Sequence, residues 1–195
     1  MVGGLKDALK VGTERTTGRL GKPDGYLKDK DVHIPLPGAL GQVQQALKLA
    51  GASALVDDLE TRMNRAAEAA APKAAGIFGT AIGNMSIGDA RSILNGPKDA
   101  ATQYFKRETT KPLSDAMKPV VERSLSDVGA VGSLKSVSDK ASSLPLGSAV
   151  NLDMTSYVLE QALAGLFFYL AKEEAAIRDN PAQRSTELLK KVFGG

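Results

Sequence analysis

The stretch DVHIPLPGAL, residues 31–40, carries the chain's single histidine, His33, beside two prolines and a glycine. A histidine can act as a general base, ligate a metal or switch charge near neutral pH. Each role needs company: a nucleophile to activate, or two or three further ligands at workable spacing. With no second histidine and no cysteine in the chain, carboxylates alone would have to complete a zinc site. The stretch therefore reads as a stiff joint. Pro35 and Pro37 fix their own φ and drive Ile34 and Leu36 toward extended backbone, and the His33 ring is expected to pack on Pro35 or to bond a backbone carbonyl of the turn.

Asp57, Asp58 and Glu60, and the pair Glu173 and Glu174, are the carboxylate groups that acid–base chemistry or a cation would use. Adjacent positions on a helix point to different faces, so these groups are not expected to converge. Asp58 precedes Arg62 by four residues and Glu174 precedes Arg178 by four, the spacing of a surface ion pair. No stretch shows the alternating oxygen ligands about a glycine that a calcium loop requires. GIFGTAIG, with Gly76, Gly79 and Gly83, matches neither the dinucleotide fingerprint nor the phosphate loop. Inside a helical pattern, Gly79 and Gly83 instead form a small-residue face for close packing by another helix or by a flat apolar ligand. No catalytic or metal-ligating residue is assigned, no cofactor is expected, and the chain is not expected to be an enzyme.

The elements that would position these residues are helical almost throughout. Leu5, Leu9, Gly12, Thr16 and Leu20 recur at helical spacing. A Gly/Pro/Asp-rich connector follows, and Pro37 or Gly38 opens a helix ending at Gly51. Residues 53–71 form the clearest helix, with Leu55, Leu59, Met63, Ala66 and Ala70 inward. Pro72 kinks or ends it, and helical spacing resumes through Ile77, Ala81 and Met85. Ser86 and Asp89 have the spacing of a capping box, and Pro97 suits the first position of a helix carrying Ala101, Tyr104 and Phe105. Pro112 and Pro119 are expected to break or bend the segment that follows. Asp153 caps an apolar helix through Leu170, and Asn180, Pro181 and Gln183 lead into a last helix, STELLKKVF. Sustained alternation of the strand type is nearly absent. The expected fold is an all-α, single-domain bundle of about eight or nine helices with proline kinks. Residues 1–30 are its N-terminal helix and connector, and 31–195 its main core.

Composition narrows the function classes. The 195 residues are 43% hydrophobic, 24% charged and only 5% aromatic, with no Trp or Cys, which suits one packed domain of close-set helices. The absence of Cys excludes disulfides, thiolate zinc sites and a cysteine nucleophile. The net charge of +3 comes from interleaved signs, not from the basic block of a nucleic-acid binder. The mild basic excess near the start (Lys6, Lys10, Arg15, Arg19) allows a peripheral contact with an anionic membrane, though a solvated helix face accounts for it equally. ALAGLFFYLA, residues 162–171, is about half the length of a membrane span.

The blocks GLKDALKVGTERT, IPLPG, VDDLETRMNRAAEAAAPKA, DARSILNG, ATQYF and YVLEQALAGLFFYLAKEEAAIRDNPAQRSTELLKKVFG together resemble a bacterial family catalogued as domain of unknown function 4197, over essentially the whole chain. The resemblance implies an exported protein of Gram-negative bacteria, periplasmic or outer-membrane associated, whose secretion or lipoprotein leader precedes the start seen here. It brings no catalytic residues with it.

Two functional expectations follow. In the first, the helix around Tyr157–Ala171, apolar on most of its surface, walls a cavity that holds or shuttles a small hydrophobic ligand, a lipid such as a sterol- or hopanoid-like one. The expected wall is Ile77, Phe78, Ile82, Met85, Phe105, Leu163, Leu166, Phe167 and Leu170, with Gly165 marking missing bulk and Tyr104 or Tyr169 at the mouth. Desolvation at ~25 cal/mol per Å² would supply the affinity. In the second, the chain is a structural or protein-interaction module that docks on an envelope partner through an exposed stripe such as Leu5, Leu9 and Leu20.

Overall fold

A computed structural model of the chain describes residues 2–49, 53–126 and 153–179. Its helices are α1 (Val2–Leu20), α2 (Gly38–Leu49), α3 (Ala54–Ala70), α4 (Ala74–Asn84), α5 (Ile87–Asn95), α6 (Ala100–Ser126) and α7 (Met154–Asp179), and a 3₁₀ turn (Ala71–Lys73) links α3 to α4. There is no strand among the described residues, so the fold is all-α as expected. The expected eight or nine helices are not reached among these residues. The Ser-rich stretch 133–150, the expected cap at Asn180, Pro181 and Gln183, and the last helix lie outside them.

The long helices α6 and α7 pack side by side. Helix α3 lies on α6, and α1 lies on α7 and α4. One continuous core runs from Leu5 in α1 through Met63 in α3 and Phe105 in α6 to Leu170 in α7. The α1 stripe read from spacing is buried in that core, Leu5 being 1%, Leu9 7% and Leu20 0% exposed. It is therefore not the exposed docking surface of the second expectation: α7 and α4 cover it. In α3, Leu59, Met63, Ala66 and Ala70 all face inward.

Local signals account for most of the helix ends. Ser86 and Asp89 form the expected capping box, each bonding the other's backbone N–H at 3.0 Å. Asp153 Oδ1 accepts from Ser156 N at 3.0 Å and opens α7. Pro72 sits in the 3₁₀ turn that ends α3. Two expectations about α6 need correction. The helix begins at Ala100 and not at Pro97, because the Glu174 carboxylate reaches across from α7 and accepts from Ala101 N (2.9 Å) and Thr102 N (2.8 Å). It also runs unbroken through Pro112 and Pro119. Each proline forfeits one backbone bond, but burial of Thr109, Leu113, Met117 and Val121 along the same helix keeps the rod together.

The connector between α1 and α2 is the irregular part of the described chain, and it is pinned into the bundle at several points. Tyr26 is fully buried, and its hydroxyl donates to Ala162 O on α7 at 2.7 Å. The backbone N–H groups of Tyr26 and Leu27 both donate to Glu68 Oε1 on α3, at 3.1 and 3.0 Å. Asn64 receives Ile34 N on its Oδ1 and donates to Ile34 O, both at 2.8 Å. The space that Gly165 leaves on α7 is occupied by the Tyr26 ring: a Cβ at residue 165 would stand 2.7 Å from its Cε1.

A paired substitution tests that seating. Gly165→Ala is expected to destabilise the fold by up to about 2 kcal/mol, overpacking outweighing the gain in helix propensity, and to lower Tm by up to roughly 4–8 °C. Gly79→Ala on the open face of α4, where a Cβ meets nothing within 4 Å, is expected to stabilise by about 0.5–1 kcal/mol. A Tm that rises for both variants in calorimetry would contradict the Tyr26 placement.

Candidate functional site

The residues expected to wall a cavity come together, but around each other. Phe78 meets Phe105 edge-on with centroids 5.2 Å apart, and Phe167 in the same manner at 6.4 Å. Phe78, Phe105 and Leu166 are fully buried; Ile82, Met85, Leu163, Phe167 and Leu170 are each under 10% exposed. A gap beside Phe105 and Leu170, against Leu9 and Ile177, has a volume of about 10 Å³, at or below what one water requires. Phe168, by contrast, is 39% exposed and carries Lys172 over its ring at 4.5 Å. The bulk missing at Gly165 is supplied by Tyr26, a residue that no local pattern places against α7.

The polar residues weighed for chemistry are tied into structure. His33 Nδ1 lies 2.8 Å from Leu27 O and its Nε2 lies 2.7 Å from Glu60 Oε1, so the ring bonds a backbone carbonyl as expected, and an acidic side chain as well. Asp57 and Glu60 do converge, contrary to expectation, because Gln44 of α2 donates to both, at 2.8 and 2.6 Å. They stand three apart on one face of α3, a spacing the adjacent-residue argument passed over. Asp58 pairs with Arg62 at 2.7 Å and Glu174 with Arg178 at 2.9 Å, as their spacing implied, but only the first is the expected surface pair: the Glu174 and Arg178 side chains are 6% and 13% exposed. Glu173 turns to the other side and meets Arg15 at 3.4 Å. Tyr169 is at no cavity mouth. Its hydroxyl donates to Asp29 Oδ2 at 2.6 Å, an oxygen that also receives Arg19 at 2.9 Å. Burial pushes the Asp29 carboxyl up, but the Tyr169 and Arg19 bonds together outweigh it and hold the group down at about 2. Burial, then the bond to Asp29, pushes Tyr169 up to about 12. No group of three or more His, Cys, Asp or Glu among the described residues is arranged to hold a metal ion.

Openings of ligand scale lie at the surface. A groove of about 270 Å³ runs between α4 and α6, lined by Ile77, Thr80, Ala81 and Asn84 on one side and Tyr104, Glu108, Thr109 and Pro112 on the other, with Asp89 at its end. A second of about 270 Å³ shares Asp89 and Tyr104 and continues along Ser92, Pro97, Gln103 and Arg107. Of the expected wall residues, Ile77 and Tyr104 therefore face a surface groove. Tyr104 is fixed there by donating to Ala81 O at 2.8 Å. Gly76, Gly79 and Gly83 are exposed beside it, with nothing within 4 Å of a Cβ at any of them. The expected close packing on that glycine face is thus not made within the described chain. The groove escaped sequence reasoning because an apolar-periodicity argument scores a helix for its inward face and is silent on where two outward faces leave a channel.

The family described as protein of unknown function (DUF4197) matches residues 1–194. The chain belongs to that family. No curated protein and no solved structure matches it.

For this DUF4197 chain the Asp29 cluster sets an acid limit. A carboxyl held below its unfolded value contributes stability that is present above about pH 4 and is lost as pH falls toward about 2. Acid titration of stability is expected to show this loss, of order 1–2 kcal/mol, and Asp29→Asn is expected to flatten it over that window. An unchanged slope in the variant would show that Asp29 does not link the connector to α7.

Proposed function

We propose that the chain is a non-enzymatic helical binding protein of the bacterial cell envelope, and that it works through its surface. The observation that carries this reading is the distribution of space. The interior around Phe78, Phe105 and Phe167 is filled, while the openings near 270 Å³ lie on the outside of α4, α5 and α6. The polar groups that chemistry would need support it as well. His33, Glu60, Glu68, Asn64 and Glu174 each bond backbone groups or neighbouring side chains, which leaves none of them poised beside an open cleft. The envelope setting rests on the likeness to exported members of the family. No helix among the described residues is long and apolar enough to cross a membrane.

An internal lipid is the competing reading. It requires the three phenylalanines to part, giving up ring contacts worth about 0.5–1.5 kcal/mol each beyond their buried area. Native mass spectrometry of the purified protein, with thermal melts of delipidated protein against lipid classes, separates the two. A lipid at 100 times its Kd would stabilise the fold by about 2.7 kcal/mol and raise Tm by roughly 5–10 °C. The expected result is an unliganded mass and no such rise. A stoichiometric lipid in the native spectrum would overturn the surface reading.

A further inference from the structure

The groove between α4 and α6 has a polarity that follows from where its protons go. All three hydroxyls along it donate inward to helix carbonyls: Thr80 to Gly76 O at 3.0 Å, Tyr104 to Ala81 O at 2.8 Å and Thr109 to Phe105 O at 2.6 Å. Of these only the Thr80 hydroxyl is exposed and leaves its lone pairs to an incoming group; those of Tyr104 and Thr109 are buried. Pro112 has no N–H, so the Glu108 carbonyl is deprived of the bond that residue 112 would normally give it in an α-helix. The carboxylates of Asp89 and Glu108 add formal charge at the rim. The rim is thus net acidic, with the Asn84 amide beside it, while Ile77, Ala81 and Pro112 supply apolar wall.

A cation already samples this rim. Arg107 Nε donates to Glu108 Oε1 at 2.8 Å, its Nη2 lies 3.8 Å from Asp89 Oδ1, and its guanidinium sits 5.3 Å from the centroid of the Tyr104 ring. That side chain is 62% exposed, so it is held loosely and is displaceable.

We propose that this groove receives an arginine or lysine side chain presented by a partner protein, with Arg107 as its intramolecular stand-in. The proposal rests on the surface reading above and specifies the chemistry of its partner. Size favours a side chain, since about 270 Å³ lies just under the ~300–1,000 Å³ of drug-sized ligand sites. Charge complementarity favours a cation, whose aliphatic stem would lie along Ile77 and Pro112 while its head meets the carboxylates.

Amide chemical shifts of ¹⁵N-labelled full chain, titrated with N-acetyl-arginine methylamide, N-acetyl-lysine methylamide and the neutral N-acetyl-citrulline methylamide, test it. Both cationic probes are expected to shift Thr80, Asn84 and Thr109, and the citrulline probe to leave them still. Arg107→Ala is expected to tighten the cationic probes about two- to five-fold, the worth of an exposed ion pair, and Glu108→Gln to weaken them by a similar factor. Spectra of both variants away from the groove report whether the fold is intact. Equal shifts with citrulline, shifts scattered over the molecule, or weaker binding by Arg107→Ala would each overturn the cation site. Those outcomes leave the surface reading standing, because only a retained internal lipid removes that.

Discussion

The bundle depends on one residue of the connector filling a notch in its longest apolar helix. Tyr26 lies against Gly165, closer than any side chain there would permit, and hangs its hydroxyl on Ala162 O of the same helix. A glycine in mid-helix costs up to about 1 kcal/mol relative to alanine, and here that cost is offset by admitting a whole aromatic ring to the core. Because Tyr26 is the inward anchor of a segment without regular structure, its position decides how α1 is returned to α2 and where α3 meets α7.

Irregular backbone inside a core raises a second demand, since its N–H and C=O groups have no ladder to join. The chain meets it with polar side chains from regular helices. Glu68 accepts two consecutive connector N–H groups, Asn64 brackets Ile34 from both sides, and His33 ties Leu27 O to Glu60. Glu174 does the same for the start of α6. Inspected as isolated letters, a buried Asn, two buried Glu and a lone His resemble the parts of an active site. Together they are the partners that connectors and helix ends need when those are packed inside, which is why the chemistry they suggest does not assemble into a cleft.

Local signals were legible in the sequence and long-range ones were not. The capping box at Ser86, the α1 stripe, the Pro72 stop and the two i,i+4 ion pairs all involve residues within a few positions of each other, where helical geometry dictates who meets whom. The start of α6 was misplaced because its cap comes from Glu174, 73 residues away from Ala101. The prolines in α6 suggest a break or a bend because the rule for proline concerns one hydrogen bond, whereas continuity there is decided by the buried face of the whole helix. Whether a cavity opens was not legible for a related reason. Apolar side chains on most of α7 show that it is enclosed, but say nothing about whether neighbours leave space, and Gly165 read alone is equally compatible with a void and with a tenant.

The same packing leaves the larger openings of the described chain at the surface. Helix α6 turns Leu113, Met117 and Val121 inward against the core, so the defect introduced by Pro112 must be tolerated on the side that remains. There it lines the α4–α6 groove, beside hydroxyls whose protons are committed to helix carbonyls. A groove with two carboxylates at its rim and a carbonyl deprived of its helix partner suits a donor-bearing cation without rearranging either helix. Its polarity is therefore a by-product of how α4 and α6 keep themselves helical, and it persists as long as the bundle does.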